Sequence, residues 1–168
     1  MDSEQLKALQ APLKAKYTDD ASAAVVTLKA DGQVGEGVSC SLNTSKALIE
    51  AGLHPATGGS GTQVCSGDML LEALVACPGV TLAAVSTALG IDIGHARVHA
   101  EGDLDFRGTL GVDKEAPVGF RAIRLSFELG DNITDEQRAT LVKLTERYCV
   151  VLQTLKGGVE LTTTATSA

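Results

Sequence analysis

Few side chains in this sequence can do covalent chemistry. It holds four cysteines, Cys40, Cys65, Cys77 and Cys149, and three histidines, His54, His95 and His99. The cysteines form no CxxC pair, so a zinc knuckle or a thioredoxin-type dithiol has no support. His95 and His99 have the four-residue spacing of a helical metal site, but they fall in a strand-like run. On a strand, residues four apart lie about 13 Å from one another, too far to share one ion, so they read as surface histidines. His54 precedes Pro55 in a loop, and no GxSxG elbow offers a serine nucleophile. The loop segment GGSGT (58–62) lacks both the GKS/T ending of a P-loop and the spacing of a dinucleotide site. It reads as a flexible approach to the next helix, lining a pocket. Cys40 reads as a small residue filling a strand. Cys77 and Cys149 remain, each in an expected helix with apolar neighbours. Either is an inert buried thiol or, beside a helix start or break, a thiol more acidic than the usual value of about 8.5. Residue types alone leave both readings open.

The element that must position Cys77 is Ser66–Ile91, SGDMLLEALVACPGVTLAAVSTALGI. Its apolar residues leave almost no polar face, which predicts a buried central helix. Ser66 is the expected cap, and Asp68 places a carboxylate in the first turn, where the helix dipole favours it. Gly90 is the expected stop. From Asp68 to Leu89 such a helix would span on the order of 33 Å. Pro78 removes one backbone hydrogen bond beside Cys77, predicting a kink there.

The remaining elements read as follows. Glu4–Leu13 is a short helix ended by Pro12. Ala23–Leu28 and Val34–Leu42 are strands joined across Ala30-Asp31-Gly32, a hairpin signal. Ser45–Ala51 is a short helical segment. His95–Phe106 and Phe120–Leu129 are long strands; in the second, Ile123, Leu125, Phe127 and Leu129 alternate with polar residues. Thr134–Gln137 is a capping box opening a helix, broken near Cys149 and stopped by Gly157-Gly158. Val159–Thr164 is a final strand. This order is not alternating βαβ; it predicts one α+β domain over residues 1–168 with a mostly antiparallel sheet.

Composition excludes other classes. With a net charge of −7 and only 3% aromatic residues, neither nucleic acid nor an anionic membrane surface is an expected partner. The apolar helix is interrupted by Glu72, Pro78, Gly79 and hydroxyl residues, which argues against a membrane span. The polar N-terminus carries no secretory h-region, so a cytoplasmic protein with mostly reduced cysteines is expected.

Two segments carry a family resemblance. GDMLLEALVACPGVTL resembles the LLxALxxC helix of the OsmC/Ohr thiol peroxidases, which carries the first redox cysteine. ERYCVVLQTLKGGVELT resembles the second signature, a cysteine followed by a short apolar segment and a closing strand. The separation (149 − 77 = 72) and the order of elements between them fit as well. The resemblance implies an OsmC-like fold, a mostly antiparallel sheet around the long central helix, in an intertwined homodimer with two interfacial sites. It implies that Cys77 is the peroxidatic thiolate attacking an organic hydroperoxide and that Cys149 is the resolving cysteine. An external dithiol, such as a lipoyl group, would then reduce the resulting disulfide. Neither a cofactor nor a metal is implied. In the family a glutamate stands ten positions before the first cysteine; here that position is Gly67, and Asp68 is the nearest carboxylate. The family's arginine from the N-terminal hairpin region has no counterpart before Arg97, with Lys29, Arg121 and Arg124 as substitutes to weigh. Pro78 follows the first cysteine and Val150 the second, where the family usually has proline after the second. These departures define an alternative: an OsmC-fold protein without efficient peroxidase activity that binds a small apolar ligand at the dimer interface.

Overall fold

In the computed structural model of the chain, the apolar run folds as one helix, α2, over Ser66–Leu89. The structure describes residues 2–19, 31–34, 39–43, 48–111 and 113–167. Cys65, rather than Ser66, occupies the N-cap position in extended conformation and makes no side-chain cap bond. Gly90 ends the helix with φ +66°, and Ile91 N–H returns to the Ser86 carbonyl at 3.0 Å. This is a Schellman stop, and its left-handed residue is one that favours glycine. The helix continues through Pro78, which is itself buried.

The buried residues of α2 are Leu74, Pro78, Leu82 and Ser86, a stripe at four-residue spacing along one face. The expectation of burial nearly all round is therefore not met within one chain. Val80 is 72% exposed, and Leu70 and Leu89 are also open. The reason is coverage: among the described residues the flanking elements pack on one side of the helix and leave the side of Val80 and Leu70 open. Leu89 is exposed as the last residue of the helix. α2 is also the one helix among the described residues that is long and apolar enough to cross a membrane.

The covering elements are as follows. β5 (Arg97–Asp103) and β6 (Ala122–Glu128) pair antiparallel, Arg97 opposite Glu128 and Asp103 opposite Ala122. Both strands alternate exposed and half-buried residues along their length, as the period-two pattern of β6 predicts. β5 packs on α2, while Arg124 on the outer face bonds Glu101 at 3.1 Å and Asp103 at 2.8 Å. A short helix, α3 (Phe106–Thr109), follows β5, so the strand ends earlier than Phe106. α4 (Asp135–Tyr148) opens with the expected capping box: Gln137 N–H donates to Thr134 Oγ1 at 3.2 Å, and the Gln137 side chain accepts from Thr134 N–H at 2.9 Å. The chain turns at Cys149 and resumes as α5 (Val150–Gly157). α4 and α5 both lie against α2. The core joins Leu82 of α2 with Leu129, Ile133 and Leu141.

Before α2 lies a second sheet. β1 (Asp31–Val34) and β2 (Ser39–Asn43) are antiparallel, β3 (Leu48–Gly52) pairs antiparallel with β2, and β4 (Val64–Cys65) pairs parallel with β3. Several expectations are corrected. Asp31 and Gly32 lie inside β1, opposite Asn43 and Leu42, so they are not the hairpin turn. The expected helical segment Ser45–Ala51 ends in β3, because pairing with β2 outweighs local helical preference. α1 (Ser3–Asp19) runs past Pro12. Pro12 and Ala8, whose carbonyl loses its donor, are both exposed, so water can serve that carbonyl. Val159–Thr164 forms no strand: Val159 is 60% and Leu161 85% exposed, and the segment pairs with no strand among the described residues. Strand-favouring residues need a partner edge before they pair. The expected strand Ala23–Leu28 lies outside the described residues. What results is an α+β fold built from two small, mostly antiparallel sheets.

Candidate active site

Cys77 and Cys149, 72 positions apart in sequence, meet sulfur to sulfur at 3.2 Å. α2 carries Cys77 beside its buried Pro78, and the α4–α5 junction carries Cys149. Local geometry fixes the second sulfur closely. The Cys149 N–H donates to the Thr145 carbonyl at 3.0 Å, closing α4, and its own carbonyl accepts from Gln153 N–H at 2.9 Å, opening α5. Its Sγ accepts from Leu152 N–H at 3.5 Å. Cys149 is fully buried, whereas Cys77 is half-buried.

The two thiols are driven apart in acidity. Burial pushes the Cys77 thiol up, but four donors together outweigh it: the Val151 N–H, the Cys149 thiol, the Val150 N–H and the Thr81 hydroxyl. Cys77 is thereby held below the ordinary cysteine value. Burial pushes Cys149 up, the Leu152 N–H opposes it, and the neighbouring Cys77 charge adds to the rise. The arrangement biases Cys77 toward its thiolate form, with the Cys149 thiol donating a hydrogen bond to it. The start of α5 supplies backbone N–H groups and the positive end of its dipole to that thiolate, a recognised way of activating a cysteine. The single Thr81 hydroxyl proton is shared between that sulfur and the Cys77 carbonyl, 2.8 Å from the Thr81 oxygen. Sequence reasoning missed Thr81 and the α5 amides. The four-residue offset from Cys77 would have found the first; no side-chain pattern reveals the second.

Asp68 is not brought to the thiolate. It precedes Cys77 by nine residues on one continuous helix, about 13–14 Å along the axis and two and a half turns round, on the opposite face. It borders instead two cavities, one of 360 Å³ with His54, Cys65, Leu104, Phe106 and Phe120, the other of 410 Å³ with Leu71, Glu72, Val75, Ala76 and Ala100. His54 stacks on Phe106 with ring centroids 4.9 Å apart and accepts Ala56 N–H on Nδ1. Cys65 lies about 18 Å along α2 from Cys77, so it is no intrachain partner for it. Lys29 lies outside the described residues. Arg121 and Arg124 are engaged by Asp105, and by Glu101 and Asp103, respectively. His99 approaches Glu101 at 3.5 Å, and the described residues contain no cluster of three or more His, Cys, Asp or Glu able to hold a metal.

Solved structures share this arrangement of elements. An OsmC-like protein from Mycoplasma pneumoniae matches with TM-score 0.66 at 19% identity, covering 79% of this chain and 89% of its own. An organic hydroperoxide resistance protein OsmC from Legionella pneumophila matches with TM-score 0.63 at 15% identity, covering 82% and 94%. An organic hydroperoxide resistance protein from Elizabethkingia anophelis matches with TM-score 0.64 at 14% identity, covering 80% and 93%. At these identities the likeness is one of fold. No curated protein sequence matches the chain significantly. The OsmC-like protein family profile matches residues 59–164, well over half of the sequence and the whole span holding both cysteines. The chain belongs to the OsmC-like family.

Proposed function

We propose that the protein is a cysteine-dependent thiol peroxidase that reduces organic hydroperoxides to alcohols, with Cys77 peroxidatic and Cys149 resolving. The observation that carries this reading is the 3.2 Å contact between a thiol held acidic and one held neutral. The Cys77 thiolate attacks the distal peroxide oxygen; the O–O bond breaks, the alkoxide takes a proton from solvent, and Cys77 becomes a sulfenic acid. The Cys149 sulfur then attacks Cys77, displacing hydroxide that leaves as water with the thiol proton. A Cys77–Cys149 disulfide remains, and closing it requires the sulfurs to approach by only about 1.1 Å. An external dithiol, a lipoyl group among them, returns both thiols and leaves as its own disulfide. The names of the fold neighbours as organic hydroperoxide resistance proteins support the substrate class. The open face of α2, with Val80 and Leu70 exposed, supports a homodimer in which a second copy covers it. A cytoplasmic setting would keep the pair reduced between turnovers.

Consumption of cumene hydroperoxide with dihydrolipoamide as reductant tests the reading. Turnover is expected in the native protein and absent in Cys77→Ser. An equal rate in both would overturn it. Gly67 at the family's glutamate position, and the lack of any arginine before Arg97, favour a second reading, a binding protein for a small apolar ligand. That reading predicts no turnover in either protein and saturable binding of an apolar probe.

A further inference from the structure

α5 has little of its own to hold it. It is eight residues long with none of them buried, shorter than helices that stand alone in water. Residues 158–167 beyond it form no secondary structure. A helix start leaves four N–H groups without internal partners. Here the Cys149 N–H goes back to the Thr145 carbonyl at 3.0 Å. Of the other three, Leu152 N–H ends on Cys149 Sγ at 3.5 Å, and that sulfur in turn lies 3.2 Å from the Cys77 sulfur. The redox pair is therefore also the cap of α5. A thiolate suits that position, being an anion at the positive end of the dipole. A disulfide is neutral, and forming it draws the Cys149 sulfur from where the Leu152 N–H now meets it.

We propose that α5 is a redox-responsive helix: the reduced Cys77–Cys149 pair caps its first turn, and oxidation withdraws the cap, loosening Val150–Gly157 and uncovering the buried Cys149 sulfur for its reductant. The proposal rests on reading the two cysteines as a redox couple. Oxidation removes two electrons and two protons from the dithiol, taken by a hydroperoxide that leaves as alcohol and water. In the reverse step a dithiol's thiolate must reach one sulfur of the bridge and release the other. Cys77 is half-buried and Cys149 has no exposed surface in the reduced form, so a loosened α5 opens the second sulfur to that step as well. The helix then re-forms as the thiolate returns.

Hydrogen–deuterium exchange read by mass spectrometry on the full-length protein tests this. The disulfide is made in two separate ways, with stoichiometric cumene hydroperoxide and with diamide, an azo compound that accepts the same two electrons and two protons. Peptides covering 150–157 should exchange about three- to tenfold faster in the disulfide form, the size of a lost charged cap, while peptides within 135–144 stay unchanged. Cys77→Ser treated with either oxidant should show no acceleration. Equal or slower exchange of 150–157 in the disulfide form overturns the proposal, as does acceleration in Cys77→Ser. Failure of both oxidants to form the bridge also overturns it. If diamide alone forms the bridge, the peroxidase reading fails while the exchange of α5 still decides this one.

Discussion

Replacing Cys149 with alanine isolates what the second sulfur does for the first. In the native protein the Cys149 thiol donates to the Cys77 sulfur across 3.2 Å, alongside the Val151 and Val150 amides and the Thr81 hydroxyl. Hydrogen bonds to charged groups contribute about 1.5–3 kcal/mol, but a thiol is a weak donor. We take about 1 kcal/mol for this one, roughly a fivefold change in the thiolate population. The substitution also deletes a fully buried sulfur and the acceptor of Leu152 N–H, costing about 1–3 kcal/mol of stability. The assay is alkylation by iodoacetamide at pH 7, with the labelled peptides separated so that Cys77 is followed apart from Cys40 and Cys65. Cys77 in Cys149→Ala should react about fivefold more slowly than in the native protein. Cys149→Ser, which keeps a donor in place, should recover most of that loss and shows whether altered access is involved. An equal or faster reaction in Cys149→Ala, with Cys149→Ser no different from it, would refute the hydrogen-bonded thiolate.

Three further outcomes follow from the same geometry. Because burial is outweighed at Cys77 and dominates at Cys149, the alkylation profile of native Cys77 should rise at lower pH than that of the urea-unfolded chain. That of Cys149 should rise at higher pH; coincident profiles for the two native cysteines would contradict the asymmetry. Leu141→Ala opens a cavity at a fully buried core position and should cost about 2–5 kcal/mol in urea denaturation, with less than 1 kcal/mol counting against the packing described. Gly90→Ala forces a Cβ into φ +66° at the end of α2 and should cost about 1–2 kcal/mol; no loss would mean that the Schellman stop is not needed.

What the sequence made legible was local. The alternation of Ile123, Leu125 and Phe127 defines the faces of β6, and the Thr134–Gln137 box starts α4, because each depends on near neighbours alone. Sequence misled where a distant partner decides. β3 forms because β2 lies beside it, and the Val159–Thr164 segment pairs with no strand among the described residues. At the site, two signature segments pointed to Cys77 and Cys149, but only the packing of α5 against α2 brings the sulfurs together. Asp68 is the carboxylate closest in sequence to the family's glutamate position. Helical periodicity puts it on the face away from Cys77. The groups that do hold the thiolate are largely backbone amides of α5, which every sequence has and no side-chain pattern marks.

The most direct test of the central claim is the intact mass of the protein after one equivalent of cumene hydroperoxide, followed by thiol counting. The peroxidase account predicts a loss of two protons per chain and of two titratable thiols, with the bridge mapped to Cys77 and Cys149, and no such loss in Cys77→Ser. An unchanged mass with all four thiols still titratable would contradict it.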